Sequence, residues 1–130
     1  MKARGIDFVG VAVSDMDAAR TFYGDLLGLA ELGSFGDPDR WLEFDAGNVT
    51  ISLIKADAAA IARRLEAGPF ASIGIAVAVE DIKTTVEELR QKGVPVTMDA
   101  SEFPPCFTAM VQDPSGNHVW LHQRKDGSAG

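Results

Sequence analysis

Cysteine is all but missing. Cys106 is the single one in 130 residues, so the chain has no internal disulfide and suits a reducing compartment. Long apolar runs are missing too. No stretch approaches the roughly 18 apolar residues of a membrane span, and Met1-Lys2-Ala3-Arg4-Gly5 leads into a short alternating segment, not a signal-type apolar run. The expectation is a cytoplasmic protein without a membrane partner. Basic residues are scarce: 12 Lys and Arg stand against 19 Asp and Glu, a net charge of −7. Such a chain lacks the electrostatic footprint of a nucleic-acid partner. Its acidity would favour a cationic ligand, or does no more than maintain solubility. With 46% hydrophobic and 24% charged residues, the composition is that of a folded globular chain.

What is present is an internal repeat. Phe8-Val9-Gly10-Val11-Ala12-Val13 alternates at the period of a strand with one buried face. Met16, Ala19, Phe22, Tyr23, Leu26 and Leu27 follow at helical spacing, with Ser14 and Asp17 spaced as a capping box and Gly28 as the stop. The same order returns in Gly74-Ile75-Ala76-Val77-Ala78-Val79, then Glu80-Asp81, then Ile82, Val86 and Leu89 on one helical face, ended by Gly93. Val13 matches Val79, and Asp15 matches Asp81.

Each copy continues into strands. In the first, 41–44 and 49–54 flank the turn Asp45-Ala46-Gly47-Asn48. In the second, 94–98, 106–111 and 118–122 complete the set, the last two around Asp113-Pro114-Ser115-Gly116-Asn117. The spacing predicts an α+β fold of two tandem βαβββ modules. Residues 6–55 make the first, 56–69 a connecting helix, and 70–124 the second, within one domain over 1–124. A disordered polar tail follows at 125–130. A strand–helix–three-strand unit leaves one sheet face bare, so two units are expected to build a curved mixed sheet around a cavity with helices outside.

Those segments carry a family resemblance. Val13-Ser14-Asp15-Met16-Asp17-Ala18-Ala19-Arg20-Thr21-Phe22-Tyr23, with Leu27-Gly28-Leu29, resembles the first module of the vicinal oxygen chelate superfamily. Asp113-Pro114-Ser115-Gly116-Asn117 resembles its near-terminal turn. The superfamily includes glyoxalase I, extradiol dioxygenases, fosfomycin-resistance enzymes and bleomycin-resistance proteins. The resemblance covers about residues 6 to 124 and is specific for fold, unspecific for function.

It implies metal ligands from the first and last strands of each module. Mapped through Val13 and Val79, those positions fall on Phe8 and Gly74, then on Ser52 and Trp120. Placing Ser52 requires one extra residue in the first module's loop; without it the position is Ile51. A divalent ion wants imidazole, carboxylate or thiolate donors, so no metal and no cofactor are expected. His118 and His122, four residues apart on one strand, are roughly 13 Å apart and cannot share an ion.

Alternation assigns the inward side chains. Val9, Val11, Val13, Val49, Ile51, Leu53, Ile75, Val77, Val79, Val119 and Leu121 should pack under helices. Phe8, Gly10, Ala12, Thr50, Ser52, Ile54, Gly74, Ala76, Ala78, His118, Trp120 and His122 should face the cavity, with Cys106, Thr108 and Met110. From these, the expected ligand-binding residues are Phe8, Ser52, Gly74, Thr108, Met110, His118, Trp120 and His122. Phe8 and Trp120 offer flat apolar surface, or else fill the old metal position as core. His122, His118 and Glu43 are the candidates for acid or base catalysis, with edge or packing roles as the alternative. Cys106 reads as a small buried hydrophobe.

The resulting expectation is a metal-independent binding protein for a small, partly aromatic or cationic ligand. The alternatives are a glyoxalase-like lyase or isomerase using those His and Glu groups, and an interaction module with a filled pocket. The resemblance also implies a homodimer, for which Phe35, Trp41 and Phe103 are candidate contacts.

Overall fold

The computed structural model describes residues 1–34, 36–69 and 73–130, so Phe35 lies outside the described residues. The chain divides into two compact units, Met1–Ala62 and Arg63–Gly130.

In the first unit, β1 (Phe8–Val13) leads into α1 (Met16–Arg20), then β2 (Ala30–Gly33), β3 (Trp41–Asp45) and β4 (Thr50–Lys55). The sheet order is β1-β4-β3-β2. β1 pairs with β4 in parallel, and β4 with β3 and β3 with β2 antiparallel. The helix is capped one residue later than the capping-box spacing implies: Asp15 is extended, and its carboxylate accepts the Ala18 N–H at 3.0 Å. Beyond Arg20 the helix widens, over Thr21–Leu26, into a π-helical stretch with Leu27 N–H donating to Phe22 C=O at 2.9 Å. The wider turn accompanies the burial of the adjacent Phe22 and Tyr23, whose rings meet edge to face. With Val13, Leu42, Phe44, Ile51 and Leu53 they form the core of this unit. Gly24 brings the helix close to the sheet, since a Cβ there would stand 3.2 Å from the Phe44 ring.

β2 is the strand that sequence periodicity does not announce. Ala30-Glu31-Leu32-Gly33 is short, mostly exposed and interrupted by a register shift against β3, so no buried face imposes alternation on it.

α2 (Ala58–Leu65) carries the chain from one unit to the other. The second unit holds β5 (Ile75–Ala78), α3 (Ile82–Gln91), β6 (Val96–Glu102), β7 (Cys106–Gln112) and β8 (His118–Arg124). Its order, β5-β8-β7-β6, repeats the first, with β5 parallel to β8 and the other pairs antiparallel. Asp81 caps α3 as Asp15 caps α1, accepting the Thr84 N–H at 3.1 Å. α3 lies over β6, β7 and β8, burying Ile82, Val86 and Leu89 with Ala109, Val111, Val119 and Leu121. The α+β reading and the twofold module are both present. Hydrogen bonding groups the strands as two four-stranded mixed sheets.

The β7–β8 turn is built around one buried carboxylate. Asp113 accepts from the N–H groups of Ser115 and Asn117, each at 2.9 Å, and from the Asn117 side-chain amide at 2.8 Å. Gly116 has φ +86°, which a β-carbon would strain. Arg64 of α2 donates to Asn117 Oδ1 at 2.7 Å, tying the helix end to the turn. Asp113→Ala removes three accepted hydrogen bonds at a buried position. It is expected to cost about 3 kcal/mol, read as a lowered urea midpoint with an unchanged slope.

Candidate functional site

In each unit the helix covers one sheet face and leaves the other open, and strand alternation decides what the open face carries. In the first unit Gly10 stands opposite Ser52, and Ser52 opposite Glu43. Phe8, Gly10 and Ala12 of β1 therefore share a face with Thr50, Ser52 and Ile54 of β4 and with Trp41, Glu43 and Asp45 of β3. In the second unit Ala76 stands opposite Trp120 and Ala78 opposite His122. Across β8, Thr108 pairs with His122, Met110 with Trp120 and Gln112 with His118. Gly10 and Ala76 differ by the same offset as Val13 and Val79, so Ser52 and Trp120 occupy equivalent positions. The position is thus Ser52 and not Ile51, although the β3–β4 turn (46–49) is one residue shorter than the β7–β8 turn (113–117).

Exposure follows the alternation. Val13, Ile51, Leu53, Val119 and Leu121 are buried under the helices, while Gly10, Gly74, Ala76 and Ala78 are exposed. Phe8 is 48% exposed. His118, Trp120, His122, Thr108 and Cys106 are half-buried. Two open-face residues depart from this: Ser52 and Met110 are buried. Met110 is flanked on its own face by Met98 and Trp120 as cross-strand neighbours.

On the first unit's open face, the Ser52 hydroxyl donates to Glu43 Oε2 at 2.9 Å. The Phe8 and Trp41 rings meet edge to face, with centroids 5.7 Å apart. Trp41 thus belongs to the open face, a placement that sequence reasoning missed by reserving it for a subunit contact. Its signal was available, because Trp41 and Glu43 are two apart on one strand. Trp41 is fed into β3 from the turn begun by Asp37, whose C=O accepts the Trp41 N–H at 3.1 Å.

On the second unit's open face, Trp120 lies between His118 and His122 along β8, over Gly74. A Cβ at Gly74 would stand 3.1 Å from Trp120 Nε1. Among the described residues, two buried side-chain polar atoms lack a hydrogen-bond partner: Trp41 Nε1 and His118 Nδ1. Each lies on an open face.

The superfamily's metal positions do not fit a divalent ion here. Phe8 and Trp120 offer aromatic carbon and an indole N–H, Gly74 has no side chain, and the Ser52 hydroxyl is committed to Glu43. Among the described residues no three His, Cys, Asp or Glu side chains form a group able to hold a metal. Nor is any helix there long and apolar enough to cross a membrane.

The family model of the Glyoxalase/Bleomycin resistance protein/Dioxygenase superfamily matches residues 5–121. The chain belongs to this superfamily. Among solved structures it is similar to TnmS3, an antibiotic binding protein from Streptomyces sp. CB03234, with TM-score 0.74, 23% identity, and 96% of this chain and 99% of that one covered. It is similar to UcmS2, with TM-score 0.72, 29% identity, and 94% and 98% covered. A putative glyoxalase family protein from Bacillus anthracis gives TM-score 0.72 and 25% identity, with 96% and 98% covered. No curated protein matches. These likenesses place the glyoxalase-superfamily fold over nearly the whole chain.

The contact between Gly74 and Trp120 generates a test. Gly74→Ala should push the indole by a few tenths of an ångström, at a stability cost below about 1 kcal/mol. In a Trp41→Phe background Trp120 is the single tryptophan, so its emission and near-ultraviolet dichroism should change. Unchanged spectra would separate Trp120 from Gly74.

Proposed function

We propose that this member of the glyoxalase/bleomycin-resistance superfamily is a metal-independent small-molecule-binding protein, taking a small, partly aromatic or cationic ligand on its open sheet faces. The observation that carries the reading is the pair of unpartnered buried atoms, Trp41 Nε1 and His118 Nδ1. A buried polar atom without a partner costs free energy; an acceptor offered to the indole N–H on the first unit's face, or a hydrogen-bonding group offered to the imidazole on the second's, would recover it. Phe8, Ser52, Gly74, Thr108, Met110, His118, Trp120 and His122 are the proposed contacts. Small residues on β1 and β5 leave room above the sheets, while Phe8, Trp41 and Trp120 offer ring faces and edges. TnmS3, an antibiotic binding protein, has the same fold. That likeness supports such binding on this scaffold.

The donor chemistry at Phe8, Gly74, Ser52 and Trp120 supports metal independence. Protein purified after growth with added zinc, nickel and iron is expected to carry each at far below one equivalent, by elemental analysis. Stoichiometric metal that survives dialysis would overturn the reading.

Binding itself is tested by thermal shift against a panel of neutral and cationic aromatic compounds. A ligand at a hundredfold excess over its Kd should add about 2.7 kcal/mol, a rise in Tm of several degrees. Trp120→Ala should weaken an aromatic ligand about tenfold. A panel that leaves Tm unmoved throughout argues for a closed interaction module.

A further inference from the structure

We propose that the open face of the first unit is a recognition site for an organic cation, held by the Glu43 carboxylate beside the rings of Phe8 and Trp41. This deepens the binding reading above and rests on it.

Four observations within this unit carry the assignment. Glu43 is half-buried and has no ion-pair partner among the described residues, whose cations pair instead with Glu31, Asp39, Glu87, Asp99 and Glu102. Its carboxylate is held by Ser52, whose hydroxyl donates to Oε2 at 2.9 Å; Ser52 is wholly buried, so that bond has no competition from water. Oε1 is left for another donor.

Next to the carboxylate are aromatic rings. Trp41 precedes Glu43 by two residues on the same face of β3, and the Phe8 ring lies edge to face with the Trp41 ring. The face of one ring of such a pair, with a carboxylate nearby, is the arrangement that attracts an ammonium or guanidinium group. Phe8, 48% exposed, would gain from being covered by the carbon skeleton of such a ligand.

The Trp41 N–H adds a polar requirement, because it is buried without an acceptor. The ligand class is therefore an amine or quaternary ammonium compound with an apolar or aromatic body and a nearby acceptor oxygen. A neutral hydrocarbon would leave both Glu43 and the indole N–H unanswered. A second copy of the chain on this face would supply no specified cation.

The test compares benzyltrimethylammonium chloride with benzyl alcohol by isothermal titration calorimetry on the full chain. The wild type is expected to bind the cation roughly tenfold more tightly, a preference that shrinks as salt is raised. Glu43→Gln keeps an acceptor for Ser52 and should bring the preference close to one. Trp41→Leu, which removes the π face and leaves the charge, should reduce it severalfold. Should Glu43→Gln fail to fold, the wild-type ratio and the Trp41→Leu ratio still decide.

Equal affinity for both probes in the wild type overturns the cation site and leaves the binding reading standing. A preference undiminished in Glu43→Gln also overturns it. An affinity for the cation that falls as protein concentration rises puts a second copy on this face instead. If neither probe nor any other aromatic compound binds, the broader reading falls as well.

Discussion

The parallel pairing of the first strand of each module with its last is the constraint from which the rest of the structure follows. Side chains on a strand alternate, so sliding β1 by one residue against β4 would carry Val11 and Val13 out to the open face and Gly10 in under the helix. With Gly10 opposite Ser52 and Ala76 opposite Trp120, the valines go under the helices and the glycines and alanines go to the bare face. The helices enforce this register, since each caps on an aspartate just beyond the first strand and packs apolar residues onto one side of the sheet. Hydrophobic burial on one side thus determines what is available on the other.

What the other side holds is small residues, aromatic rings and one hydrogen-bonded carboxylate. Phe8 presents a phenyl ring, Gly74 no side chain, Ser52 a hydroxyl already bonded to a carboxylate, and Trp120 an indole. The two modules have also diverged from each other at equivalent places. Where the second has Trp120, the first has Ser52, and the first module's aromatic surface comes instead from Phe8 and Trp41. One repeat thus combines rings with a carboxylate, and the other a ring with two imidazoles. Each unit therefore offers its own kind of surface, and the two open faces differ in the groups they can satisfy.

The fold was legible where burial imposes a period. β1 was read with its observed ends, and the β3–β4 and β7–β8 turns were read from Asp, Gly and Asn; the choice of Ser52 over Ile51 as the counterpart of Trp120 came from the strand pairing. Legibility failed where burial imposes none. β2 is a short, exposed edge strand, and its four residues carry no alternation to detect. The shift of the α1 cap from Ser14 to Asp15 and the π-helical stretch were also invisible, because neighbouring candidates for a cap, or for a buried position, are separated only by packing.

By itself, the sequence determined the duplicated α+β architecture and the side of each strand that packs; these depend on local periodicity and residue chemistry. Only the tertiary structure decided that the Trp41 ring meets Phe8, that Ser52 commits its hydroxyl to Glu43, and that Trp41 Nε1 and His118 Nδ1 are buried without partners. Those facts concern pairs of atoms on different strands, or the enclosure of one atom by many. No linear pattern encodes them, because the distance between side chains across a sheet depends on register, twist and rotamer together.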